Sequence, residues 1–327
     1  MPVLYRVKAG LLAGLAGLLA LAYLLTFILD PDRLRDRNAA YVWLKPEFRD
    51  QADRIEITGR AGEDPTVFRR RGEKWVVSRE DGEYPARQAR VEEFLRLLSA
   101  SFQYPVRGNS PASYERLSLT EGTASRILIR GGVSVYPLLD LLIGRGDSTG
   151  NEVYLRRNNQ REIRSGEDRL SPYLKAPRNS WYLLKLFPDN IRNPDMVQRL
   201  TLVSPPSPGE DAPGPALTLS RNGDTGGWDL DARPLPDKQR VEAYIRALLD
   251  AEGEDFIQQV KTGESPLLNA GRIVLELEDG SVLTMRAGYT GHDSRLCAAV
   301  SGVPQVYALA DWTVKRIFRD ADYFEKQ

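Results

Sequence analysis

The chain contains one histidine, His292, and one cysteine, Cys297. Gly291-His292-Asp293-Ser294 holds the residue types of a hydrolase triad, but immediate neighbours in sequence cannot adopt the relay geometry that proton transfer needs. The segment falls between two apolar stretches and reads as a solvated turn. Cys297 lies in Leu296-Cys297-Ala298-Ala299-Val300 and reads as a buried structural thiol on a strand. A single cysteine excludes an intrachain disulfide, and one histidine with one cysteine leaves no conventional zinc ligand set, so no metal or cofactor site is expected. Gly144-Arg145-Gly146-Asp147-Ser148-Thr149-Gly150 has the glycine content of a phosphate loop. It lacks the lysine and the strand-to-helix setting of one, and reads as a glycine-rich hairpin turn, its Arg-Gly-Asp tripeptide included. Glu92-Glu93 and Glu254-Asp255 pair carboxylates, yet glycoside hydrolysis needs two of them across a cleft, which neighbours on a helix do not supply. Arg69-Arg70-Arg71 and Arg156-Arg157 read as solvated faces of strands, with contact to anionic lipid or polymer as the alternative. No catalytic, cofactor-binding or metal-ligating residue is assigned.

The elements that would position such groups are easier to read, because the chain states them twice. Lys74-Trp75-Val76-Val77 reads as a strand. Tyr84-Pro85 then precedes a helix over 86–99 whose apolar residues are Val91, Phe94, Leu95 and Leu98. Trp228-Asp229-Leu230 is followed by Leu235-Pro236 and a helix carrying Val241, Tyr244, Ile245 and Leu248. Both stripes run i, i+3, i+4, i+7, one face at about 3.6 residues per turn, and Pro85 and Pro236 suit helix starts. Val197-Gln198-Arg199-Leu200-Thr201-Leu202 answers Ala52-Asp53-Arg54-Ile55-Glu56-Ile57, each alternating as a half-buried strand does. Trp312-x3-Arg316-Ile317-Phe318 answers Trp181-x3-Lys185-Leu186-Phe187. The paired tryptophans Trp75, Trp228, Trp181 and Trp312, with Phe187 and Phe318, are expected to fill the two cores. Further strands are expected over 126–130, 135–143, 152–156 and 161–164. Asp279-Gly280 predicts a type I′ hairpin, and 204–215, rich in proline, a long mobile loop.

With 42% hydrophobic and 28% charged residues, the chain is expected to pack rather than remain disordered. Forty-five basic residues balance forty-five acidic ones, which argues against a general nucleic-acid binder. From Ala9 to Leu29 there is no charge, and a helix of that length spans about 31 Å, the thickness of a bilayer core. Ala20-Leu21-Ala22 resembles a signal-peptide processing site. The apolar run through Tyr23 to Leu29 favours an uncleaved anchor. Its short basic lead, Arg6 and Lys8, fits a signal anchor with the body outside the cytoplasm. Gly10-x3-Gly14 offers a small-residue face for pairing of spans. The expected fold is α+β: an N-terminal transmembrane helix over 1–30, a connector over 31–49 in which Trp43 and Leu44 pack onto the body or lie at the membrane surface, and two tandem copies of an antiparallel sheet covered by an amphipathic helix, over 50–190 and 191–327.

Several of these residues also carry a family likeness. Ala52-Asp53-x-Ile55-x-Ile57, Lys74-Trp75-Val76, Tyr84-Pro85-Ala86 before Val91-x2-Phe94-Leu95, Leu142-Ile143-Gly144 and Glu152-Val153-Tyr154-Leu155-Arg156 resemble the bacterial domain-of-unknown-function 4340 family. The likeness covers most of 52–187 well and the second half more loosely. Arg87 and Arg90 stand in a segment where the family usually has an aspartate, and the 204–215 loop departs too. The resemblance implies a single-pass inner-membrane protein with a periplasmic body, an accessory or scaffold beside an ABC transporter of the gliding-motility type. It brings no catalytic residue, no cofactor and no small-molecule ligand. An anchored cell-envelope hydrolase with cleft carboxylates, and a glycan- or peptide-binding module using a sheet edge, remain alternatives.

Overall fold

The computed structural model describes residues 14–21, 23, 40–60, 62–132, 134–191, 193–206, 213–235, 237–257, 271–290 and 293–325. The first sheet holds β1 (Ala52–Thr58), β2 (Thr66–Arg71), β3 (Lys74–Arg79), β4 (Gly82–Pro85), β5 (Val106–Gly108), β6 (Ser125–Gly131), β7 (Leu139–Gly146), β8 (Glu152–Arg157) and β9 (Ile163–Glu167). The second holds β10 (Val197–Val203), β11 (Ala216–Arg221), β12 (Trp228–Leu230), β13 (Arg233–Pro234), β14 (Asp255–Phe256), β15 (Gly271–Leu277), β16 (Val282–Thr290), β17 (Asp293–Val300) and β18 (Val306–Leu309). The first sheet is ordered β4-β3-β2-β1-β6-β7-β8-β9-β5 and the second β13-β12-β11-β10-β15-β16-β17-β18-β14. Each strand of the second sheet therefore occupies the place of the strand nine earlier. The likeness extends to register: Ile55 faces Ile129 and Ile57 faces Ile127, as Leu200 faces Leu275 and Leu202 faces Ile273. Both β1 and β10 also carry a register shift two residues into the strand, between Ala52 and Arg54 and between Val197 and Arg199. The protein is an α+β body built on two large antiparallel sheets.

In each copy the first edge strand, β4 or β13, connects to the rest of the sheet through one helix, α1 (Gln88–Ser99) or α2 (Lys238–Leu249). Val91, Phe94, Leu95 and Leu98 are buried on α1, and Val241, Tyr244, Ile245 and Leu248 on α2, as the stripes require. Asp237 caps α2 by accepting the Arg240 N–H at 3.0 Å. The expected start of α1 moves: Pro85 ends β4, and the helix begins at Gln88. Residues 86 and 87 stay extended because Ala86 bridges Tyr182 and the Arg87 N–H donates to the Trp181 carbonyl at 2.7 Å. Pro236 lies outside the described residues.

Two compact units emerge, residues 1–73 with 89–176 and residues 74–88 with 177–327. In the first, Trp43 and Leu44 are buried, and Trp43 meets the Tyr41 and Tyr104 rings edge-on at 4.8 and 5.2 Å. In the second, the Tyr84 ring stacks on Phe256 at 5.0 Å, and Tyr182 joins them. Trp75, Trp181, Phe187 and Trp228 are all fully buried.

Four other expectations change. Trp312 is 62% exposed and Phe318 only half-buried. Residues 311–317 form a helix, α3 (Asp311–Ile317), which turns Thr313 and Ile317 inward. Two residues one turn apart fill the inner face, and Trp312 is left outside. Its sequence counterpart Trp181 instead closes a 3-10 turn over 178–181. Val135 and Tyr136 stand exposed in the β6–β7 loop, because β7 starts only at Leu139. The Asp279-Gly280 hairpin is not type I′: Gly280 has φ +81° and Asp279 has no positive φ, while the Gly280 N–H donates to the Leu277 carbonyl at 3.0 Å. That is a type I turn closed by a left-handed glycine. The 204–215 loop is described only at its two ends, and its middle lies outside the described residues.

Among the described residues no helix is long and apolar enough to cross a membrane, a statement that does not concern strand-built spans. Residues 14–21 and 23 are helical, and the rest of the expected 9–29 span, with Gly10, lies outside the described residues.

Candidate functional site

A pocket of about 750 Å³ opens in the first unit at the β5 edge of its sheet. Antiparallel pairing of β8 with β9 places Glu152 directly opposite Glu167, so both side chains leave the same face of the sheet. Edge strand β5 contributes Arg107, and the segment leading into it contributes Phe102 and Tyr104. Arg107 Nη2 lies 3.4 Å from Glu152 Oε2, while its Nε donates to Ser165 Oγ at 2.8 Å. Ser165 Oγ in turn donates to Glu152 Oε2 at 2.6 Å. Glu167 pairs with Arg169, whose guanidinium sits 4.3 Å from the Phe102 ring centroid.

Tyr104 forms the floor, and burial pushes its phenol above the usual value. It can lie there because residue 166 has no side chain: a Cβ on Gly166 would stand 2.3 Å from the Tyr104 ring.

Two glutamates side by side resemble the carboxylate pair of hydrolytic machinery. Each, however, is ion-paired with an arginine. Among the described residues no three His, Cys, Asp or Glu side chains gather as a metal centre would require. The arrangement suits binding of a polar or extended partner: alternating charges above, an aromatic floor below, and a strand edge along one side.

The residues singled out for chemistry from the sequence do not converge here. Cys297 is fully buried, and His292 lies outside the described residues. Glu92 and Glu93 sit exposed on α1. Residues 144–150 form the end of β7 and its turn, where Asp147 accepts from the Thr149 hydroxyl and the Glu152 N–H, hydrogen bonds that hold it below the usual carboxylate range. Arg156 and Arg157 are not a solvated pair. Arg156 is 7% exposed and donates to the carbonyls of Asn158, Gln160 and Leu119, with its guanidinium 4.1 Å over the Tyr114 ring. Arg157 donates to the Tyr41 hydroxyl and the Trp43 carbonyl. Neither cation is free for lipid. Glu152, Glu167, Arg107 and Arg169 were missed because nothing local marks them; only the strand register brings them together.

Comparison with known proteins identifies a family. The family model described as "Domain of unknown function (DUF4340)" matches residues 75–270, and the chain belongs to that family. No curated protein and no solved structure matches it.

Proposed function

We propose that this DUF4340 protein is a single-pass protein of the bacterial inner membrane whose extracytoplasmic body works through contacts and not through turnover. In this reading it is an accessory or scaffolding subunit, and its partners are membrane proteins such as the subunits of an ABC transporter of the gliding-motility type. One observation carries the membrane part. Within the 9–29 segment, Leu15, Leu18, Leu19 and Leu21 are all at least 58% exposed on a helical stretch, an apolar surface that the protein itself leaves uncovered and that lipid would cover. The ion-paired glutamates of the first-unit pocket support a binding role over a catalytic one, and the family likeness is the ground for the transporter.

Affinity capture from mild detergent tests the partner. The expected result is co-purification of transporter membrane subunits, and a capture containing no membrane protein would contradict the proposal. A reporter fused after Gln327 tests the orientation: activity of a periplasm-dependent enzyme is expected, and its absence would place the body on the other side. A second reading, a peptide- or glycan-binding module, is favoured by the pocket lying along the free edge of β5. It differs in predicting that the isolated partner-free protein retains envelope fragments.

A further inference from the structure

The first unit has a second pocket, of about 330 Å³, at the low end of small-ligand sites. One wall is the β7–β8 hairpin with Gly144, Arg145 and Gly146, and another is the turn carrying Asp168, Ser171 and Lys175. Arg145 and Lys175 are exposed, and among the described residues neither side chain makes an ion pair or hydrogen bond, nor does the Ser171 hydroxyl. Arg145 and Lys175 come from distant positions in the sequence to line the same cavity. The lining has one carboxylate, Asp168, and it already accepts the Ser171 N–H at 3.0 Å. The nearby Asp147 is turned into its own loop by Thr149 and Glu152.

The backbone of the hairpin is not the binding element. The Arg145 N–H donates to the Leu117 carbonyl at 3.0 Å and the Asp147 N–H to the Glu152 carbonyl at 2.8 Å. The missing side chain of Gly144 makes room for the Leu117 main chain, since a Cβ there would stand 2.1 Å from the Leu117 oxygen, so the charged side chains are left to hold a ligand. The loop lacks a lysine of its own, and Lys175 brings one to the same cavity.

We propose that this pocket binds a phosphomonoester, with the Arg145 guanidinium and the Lys175 ammonium holding the phosphate oxygens and the Ser171 hydroxyl donating a third bond. The planar fork of arginine matches two phosphate oxygens at once, and lysine adds a point charge. Two cations answer the dianion, and Ile143, Val153 and Leu174 in the lining leave an apolar side for a small organic body. The phosphate can belong to a free ester or to the headgroup of a phosphatidic-acid-type lipid.

The test is calorimetric titration of the full chain in uncharged detergent at low salt, using glycerol 3-phosphate, inorganic phosphate and acetate. Saturable binding of glycerol 3-phosphate is expected, at least about tenfold tighter than acetate, and weakened about tenfold or more by Arg145→Gln and by Lys175→Gln. Both positions are exposed, so unchanged melting of the variants confirms that folding is intact. Absence of saturable binding, equal affinity for acetate, or unaltered affinity in both variants would overturn the proposal. Phosphatidic acid added to the micelles distinguishes the source: competition identifies a lipid headgroup, and no competition a free ester.

Discussion

Arg156 spends its guanidinium on three main-chain carbonyls from two segments and on one aromatic face. Lysine keeps the charge but offers a single ammonium in place of the planar fork. Arg156→Lys is expected to leave carbonyls unsatisfied and cost about 3 kcal/mol, readable as a lowered denaturation midpoint; an unchanged midpoint would show that these bonds carry no weight. Tyr307 gives the pH dependence. Burial pushes its phenol up to about 12 from the usual 10, so folding favours the neutral form. The resulting stability is complete below pH 10 and is lost as the pH climbs through 12, on the order of 2–3 kcal/mol. Tyr84 and Tyr244 are shifted in the same direction by burial, so the decline is shared among them. Tyr307→Phe should lose stability less steeply between pH 10 and 12 in denaturant titrations. An identical alkaline slope would mean that Tyr307 is ionised as readily folded as unfolded.

At the level of elements, the Gly166 site shows how a pocket depends on a missing atom. Gly166→Ala puts a methyl group into the Tyr104 ring, and overpacking of that kind costs about 1–3 kcal/mol. The change should lower the melting temperature and reshape the Glu152–Glu167 pocket; a neutral melt would show that Tyr104 moves aside freely. The tryptophans separate in the same way. Trp181→Ala empties a buried site and should cost about 3–5 kcal/mol, whereas Trp312→Ala, on the outer face of α3, should stay within about 0.5 kcal/mol. The helical stripes of α1 and α2 were legible because a 3.6-residue period needs only local sequence. The Trp312 environment was not, because the identical spacing Trp-x3-basic serves a helix in one copy and a 3-10 turn followed by extended chain in the other. What decides is the partner: the Lys185 backbone bridges Glu252 and holds that segment extended. Pro85 was misread for a similar reason, its successor Ala86 being bonded to Tyr182.

At the scale of the whole chain, duplication explains most of what the sequence disclosed. Alternating apolar residues in Ala52–Thr58 and Val197–Val203 sufficed to identify equivalent strands, whereas the shared strand order and register shift show only in the structure. The candidate pocket was illegible because Glu152, Glu167, Arg107 and Arg169 are joined by pairing between strands and not by any motif. The uncompensated cations Arg145 and Lys175 were equally hidden, thirty positions apart in sequence. The clefts with charged linings described above lie in the first unit, and in the second Tyr244 of α2 meets the Tyr323 and Phe324 rings. The central claim is that one packing module, used twice, makes the body, with its strand tryptophans at equivalent core positions. Equilibrium unfolding of Trp75→Ala and Trp228→Ala tests it most directly. Each change is expected to destabilise the protein by about 3–5 kcal/mol; two variants that unfold with the wild-type midpoint would contradict it.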